Sequence, residues 1–311
     1  MRIVWASNAP WTPTGYGGQT MQVVSRLHRD GHPVAVAANH GISAIALNHN
    51  GIPVFPPGLD GYGQDGIVAA YDRWMAAGSG EPTVVISLFD VWVYKDPCLL
   101  GGPSGLVPDR VGPALPIASW APIDHLTVPP EVMNYAANHR MIAMSRHGQK
   151  ALAAQGVTAD YVPHAIETSV FRPVDTDVRT RLNVTPDDFL VTINAANKGN
   201  VPPRKGWGEM LEAFAIFAKR HADAVLYLHT DLTGVNGVPL LPLLALRGIP
   251  PERVRFVSQM ALRMNEIPPA GLNEIYNATA TNGVLLSTSY GEGFGIPVVE
   301  AQAAGLPVIV T

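Results

Sequence analysis

The sequence predicts an α/β protein built from two doubly wound parallel sheets. Three observations carry that prediction. Apolar runs of strand length alternate with helical periodicity twice along the chain. The length of 311 residues suits two domains, and 47% hydrophobic with 15% charged residues supplies apolar material for two substantial cores. Glycine-rich turns follow apolar runs, where a parallel sheet presents its ligand-facing loops.

The first half reads as strand Arg2–Ala6, helix from about Gly18 to Arg29, strands Val34–Ala38, Thr83–Leu88, Ile117–Trp120 and Met141–Met144, and helix Ser145–Ala154. Met1–Pro10 contains only a short apolar run, which reads as a first strand rather than a signal peptide. Asn39–Gly80 is crowded with Gly, Pro and Asn and has weak periodicity, so it predicts no particular element.

The second half starts with strand Phe189–Asn194 and helix Trp207–Arg220. Strand Ala224–His229, helix Leu240–Leu246, strand Val254–Val257 and helix Leu272–Ala278 follow. Val284–Ser287 is then a short apolar run expected as a buried strand. Gly291, Gly293 and Gly295 allow a tight turn, Pro297 suits the first helical position, Val298–Ala304 continue the helix, and Gly305 suits a place just past its end. Pro307–Val310 begins another buried strand. Glu292 lies on the turn and Glu300 within the helix, with seven residues between them. Carboxylates there would repel a phosphate, so their expected task is to accept hydrogen bonds from flanking hydroxyls, such as those of a ribose and a sugar. The free N–H groups of the turn would face the phosphates.

These residues match a family. Glu292-Gly-Phe-Gly-Ile-Pro-x-x-Glu300-Ala301, continuing from that alanine as Ala301-x-x-x-Gly-x-Pro-Val-Ile, resembles the paired-glutamate motif of retaining GT-B glycosyltransferases of the GT4 type, glycosyl transferases group 1. The resemblance implies that Glu292 contacts the donor sugar, that Glu300 holds the nucleotide ribose, and that the N–H groups of Gly293, Phe294 and Gly295 face sugar and diphosphate. It implies two Rossmann-like domains facing across a cleft. Tyr161–Pro173 resembles the junction between them, giving an acceptor-side domain at 1–170 and a nucleotide-sugar-binding domain at 171–311, with the boundary near Phe171. In Asn197–Trp207, Lys205-Gly206 matches the family's Lys-Gly facing the donor diphosphate. The preceding arginine role falls to Lys198 or Arg204, and either serves physically, because phosphates shielded from water need cationic partners. Thr12–Gly18 resembles the family's glycine loop, in which Gly17 and Gly18 would bring N–H groups to donor phosphate and acceptor; a purely structural turn is the alternative. Ala121–His125 follows a strand where related enzymes place a histidine or aspartate near the donor sugar, which makes His125 and Asp124 candidates beside an ordinary hydrogen-bonded loop pair.

The reaction implied is transfer from a nucleoside diphosphate sugar with retention, through an oxocarbenium-like transition state. Lys205, with Arg204 or Lys198 and the turn N–H groups, would stabilise charge on the leaving diphosphate. No carboxylate is an evident nucleophile, so front-face attack by the acceptor is expected. A glycoside hydrolase would also use paired carboxylates but needs no phosphate loop. A nucleotide-sugar epimerase or a non-catalytic sugar-nucleotide-binding protein on the same fold is the alternative.

Composition narrows the partners. A net charge of −4 gives no electrostatic reason to invoke nucleic acid or an anionic membrane. The lone Cys98 excludes an internal disulfide and a cysteine-rich zinc site and fits a reducing cytoplasm. The 10 histidines show no convincing metal spacing, and His164 and His229 read as structural. The expected partners are a donor of the UDP or GDP type and a glycan, lipid or small-molecule acceptor, with no metal or cofactor required and at most peripheral membrane contact. The chain stops at Thr311 directly after a strand, where the family continues through further strands and helices, so a C-terminally incomplete form with activity open to question is expected.

Overall fold

The computed structural model describes residues 1–94, 115–199, 203–233 and 237–311. Cys98 lies outside them, as do residues 200–202 of the loop carrying Lys198 and Arg204. The chain divides between His164 and Ala165 into two units. The division falls a few residues before Phe171, because Ile166, Val170 and Phe171 pack with Tyr276, Leu285 and Leu306 of the second unit.

The first unit is an eight-stranded sheet in the order β3-β4-β2-β1-β5-β6-β7-β8. Its strands are β1 (Arg2–Ser7), β2 (Val34–Ala38), β3 (Leu47–His49), β4 (Ile52–Phe55), β5 (Thr83–Leu88), β6 (Ile117–Ala121), β7 (Arg140–Ala143) and β8 (Ala159–Tyr161). All pairings are parallel except β3 with β4. Every residue of β1 and β2 is buried, as expected of a sheet covered on both faces. Trp5 satisfies its indole by donating to Thr20 Oγ1 at 3.0 Å.

Asn39–Gly80 holds more order than its composition predicts. Asn50 at φ 51° and Gly51 at φ 86° form the turn of the β3–β4 hairpin, the asparagine–glycine pair that positive φ at both central turn positions favours. A helix at Gln64–Ala76 then buries Ile67, Val68, Ala70 and Tyr71. The helix after β1 starts at Gly15 rather than Gly18, because Thr14 caps it by accepting from Gly17 N–H. The helices Pro130–Ala136, Val178–Arg181 and Gln259–Arg263 and strand β8 were not foreseen from periodicity.

The second unit is a five-stranded, wholly parallel sheet in the order β11-β10-β9-β12-β13. Its strands are β9 (Phe189–Asn194), β10 (Ala224–His229), β11 (Val254–Phe256), β12 (Gly283–Ser287) and β13 (Val308–Val310). Alternation along β10 sends Ala224, Leu226 and Leu228 into one apolar cluster and Val225 and Tyr227 into another. Successive side chains point to opposite faces, so both faces are covered. The chain runs outward from β9 through β10 to β11, then returns to β12 on β9's other side. The topological switch point therefore lies between β9 and β12, and the loops after these two strands flank it.

Candidate functional site

The loop after β12 and the loop after β9 meet at this switch point through backbone contacts. Gly206, at φ 64°, precedes the helix Trp207–Ala218. A Cβ there would collide with Thr288 O, so both the left-handed backbone and the close approach require glycine. Tyr290 N–H donates to Arg204 O at 2.9 Å, and Tyr290 OH donates to Glu209 Oε1 at 2.6 Å. These contacts bring the cationic residues onto the glutamate turn.

Lys205 Nζ pairs with Glu292 Oε1, and Ser289 Oγ donates to the same oxygen at 2.7 Å. Arg204 Nη1 lies 3.5 Å from Glu292 Oε2 and donates to Gly291 O. Burial pushes the Glu292 carboxyl up, but Lys205, Ser289 and Arg204 outweigh it and hold the carboxyl below its ordinary range. Glu292 is thus ionised at neutral pH beside two cations.

Glu300 has a different environment. The helix carrying it, Ile296–Ala303, starts after Gly295 at φ 84°, with no side-chain cap. Its Oε2 accepts from Tyr276 OH at 3.2 Å, and that phenol accepts from Asn194 Nδ2 at 2.7 Å. Burial lifts the Glu300 carboxyl to about 7, with the Tyr276 hydrogen bond working the other way. The Tyr276 phenol is held well above its usual range by burial and by the nearby Glu300. The N–H groups of Gly293 and Gly295 have no acceptor among the described residues. The site therefore combines a carboxylate flanked by cations, a half-buried carboxyl poised near neutrality, and unsatisfied amides at a helix start, where an anion is favoured.

Of the residues expected from the sequence, Glu292, Lys205 and Arg204 come together. Lys198 is exposed and bonds no described residue, so Arg204 rather than Lys198 joins Lys205 here. Gly293, Phe294 and Gly295 link Glu292 to the Glu300 helix. Gly17 and Gly18 lie in the first unit inside the first turn of a helix rather than in a loop. Gly17 N–H is taken by Thr14 Oγ1 at 3.0 Å and Gly18 N–H by Thr14 O at 2.9 Å, so neither is available to a phosphate. A Cβ on Gly17 would strike Thr12, which gives that glycine a packing role. His125 Nδ1 lies 2.9 Å from Asp124 Oδ1, as a neighbouring pair beyond the carboxyl end of β6.

His164 is buried edge-on against Trp120, with ring centroids 4.3 Å apart, and burial lowers it to about 4. His229 is likewise lowered to about 4 by burial and is registered beside Asn194 at the carboxyl ends of β10 and β9. Sequence reasoning missed Asn194, Tyr276 and Ser289. Asn194 and Ser289 could have been found as polar residues ending or following apolar strands that carry the site loops; nothing in its own helix distinguishes Tyr276 from an ordinary core aromatic. Among the described residues no group of three or more His, Cys, Asp or Glu could hold a metal ion, and no helix is long and apolar enough to cross a membrane.

Residues 264–311 match the family model described as Glycosyl transferases group 1. The D-inositol 3-phosphate glycosyltransferase of Segniliparus rotundus is 26% identical over 185 residues, covering 56% of this chain and 37% of that protein. That of Acidothermus cellulolyticus is 29% identical over 155 residues, covering 48% and 32%. The chain thus spans about a third of the length of the curated relatives it matches. Among solved structures, the lipopolysaccharide outer core galactosyltransferase WaaB in its apo form superposes with a TM-score of 0.56 at 17% identity, over 100% of this chain and 80% of that one. The trehalose-6-phosphate protein from E. coli bound with UDP-2-fluoro glucose gives 0.63 at 12%, over 100% and 84%. At such identities the likeness is one of fold, and the fold is GT-B.

Proposed function

Taking the chain as a GT4-type glycosyltransferase of GT-B fold with its group 1 domain at residues 264–311, we propose that it moves a sugar from a nucleoside diphosphate sugar to an acceptor hydroxyl, with retention of configuration. The observation that carries this reading is the meeting of Lys205 and Arg204 with Glu292 at the switch point of the second sheet. A diphosphate needs cations and free amides, and a sugar needs an acceptor of hydroxyl protons. The loops after β9 and β12 supply both where they meet.

Lys205 and Arg204 would take the charge that grows on the leaving diphosphate, a preorganised electrostatic contribution. Glu292 holds these cations in place before ligand arrives, and its carboxylate accepts from the sugar hydroxyls. Glu300 holds the ribose. Glu292 and Glu300 both have such a task, which favours front-face attack by the acceptor over a covalent glycosyl intermediate. The names of the relatives, which specify a phosphorylated inositol, make a phosphorylated polyol one acceptor to include in testing.

The test is incubation with labelled UDP-, GDP- and ADP-sugars, with and without sugar, polyol phosphate and lipid acceptors, reading binding, transfer and the anomeric configuration of the product by NMR. Transfer with the donor's configuration is expected. Epimerisation without acceptor, or no binding of any sugar nucleotide, would overturn the proposal.

A further inference from the structure

Tyr276 is wholly buried in a cluster with Phe171, Leu285 and Ala301. A phenol in such surroundings must find partners for its hydroxyl. It finds two, and they have fixed directions. The Asn194 amide nitrogen can only donate, so it occupies the phenol's acceptor side at 2.7 Å, and the phenol's one proton is committed to Glu300 Oε2 at 3.2 Å. Asn194 ends β9, Tyr276 lies on the helix Pro269–Ala280, and Glu300 lies on the helix Ile296–Ala303. Three separate elements therefore converge on one carboxylate. One oxygen of Glu300 is bound to the protein, while no described residue bonds Oε1.

We infer that Tyr276, oriented by Asn194, is a positioning residue that fixes the Glu300 carboxylate and leaves Oε1 as the acceptor for a ligand hydroxyl, so that this pair sets discrimination between ribose and deoxyribose. The inference rests on the proposed ribose role of Glu300. Without the phenol, Glu300 keeps its place on the helix but loses the contact that restrains its rotation and favours its ionised form. The hydroxyl bond then has to be made by a carboxylate that must first be ordered.

The test pairs two ligands with three proteins. Calorimetric titrations use UDP and 2′,3′-dideoxy-UDP, with GDP and its dideoxy analogue as the second set, against wild type, Tyr276→Phe and Asn194→Ala. Wild type is expected to favour the ribonucleotide by roughly tenfold to a hundredfold, the size of one or more hydrogen bonds to a charged group. Tyr276→Phe keeps the ring and its packing, so it should reduce that ratio to a few-fold while leaving the dideoxy affinity unchanged. Asn194→Ala should reduce it less, because the phenol remains but is no longer directed. A role in packing alone would weaken both ligands together and keep the ratio. Wild type without a ribose preference would overturn the ribose role and this inference together. A ribose preference that persists undiminished in both variants would overturn the positioning role alone; if Tyr276→Phe does not fold, Asn194→Ala decides the question.

Discussion

Glu300→Gln should change how stability depends on pH, and the sign follows from where the carboxyl sits. Burial raises Glu300 from an ordinary value near 4.5 to about 7. In acid the carboxyl is neutral in folded and unfolded chains alike, and its burial carries no charge penalty. As the pH rises through 4.5 the unfolded chain ionises first, and above about 7 the native state must hold a carboxylate in its half-buried position. The contribution is therefore present below about 4.5 and lost as the pH passes through about 7. At about 1.36 kcal/mol for each pKa unit, the loss is about 3 kcal/mol as a ceiling, and solvent reaching the half-buried group lowers it to about 1–3 kcal/mol. Glutamine keeps an acceptor for Tyr276 and does not titrate. Urea unfolding of wild type and Glu300→Gln at intervals from acid to mildly alkaline pH should show wild type losing that amount relative to the variant. A difference between the two proteins that stays flat across this range would refute the reasoning, because the carboxyl would then have the same pKa folded and unfolded.

The two glutamates should separate by ligand: Glu300→Ala weakens nucleoside diphosphate and intact donor alike by about 1.5–3 kcal/mol, whereas Glu292→Ala weakens only the sugar nucleotide and, by freeing Lys205, leaves the free diphosphate bound as well or better. Equal calorimetric losses for both ligands in Glu292→Ala would remove its sugar role. Transfer should persist in excess EDTA if, as proposed, Lys205 and Arg204 take the charge of the diphosphate; turnover lost in EDTA and restored by Mn²⁺ or Mg²⁺ would contradict this. Gly206→Ala should lower unfolding stability by about 1–3 kcal/mol, from left-handed backbone strain and the encounter with Thr288 O. A denaturation midpoint equal to wild type would show that the two loops can separate freely.

Much of the fold was legible because strand signals are local. Val34–Ala38, Thr83–Leu88, Phe189–Asn194 and Ala224–His229 are strands with the predicted bounds, each a short apolar run between turn residues. Helix starts were less legible. Thr14 belongs to a stretch that reads as a glycine loop, although its hydroxyl caps a helix that begins with Gly15, and three glycines in a first turn hide that helix from a propensity argument. In the site, the Glu292 motif was legible through its glycines, proline and spacing. The partner of Glu292 was not, since nothing in the sequence near Lys205 says that its ammonium meets a residue 87 positions later. Tyr276 was hidden for the same reason: its ring belongs to the core, and only the tertiary arrangement places its oxygen between Asn194 and Glu300.

That separation has a consequence for when the site exists at all. Lys205 and Glu292 are neighbours only because β12 lies beside β9, with β10 and β11 intervening in the chain. Closing so long a loop is among the entropically costly steps of folding. A chain that has collapsed but not yet inserted β12 would possess every residue of the motif and none of its electrostatics. On the proposed function, ligand capture would therefore be a sensor of correct strand order. Added during refolding, a nucleoside diphosphate should leave the earliest phase unchanged and act on the native state by slowing its unfolding.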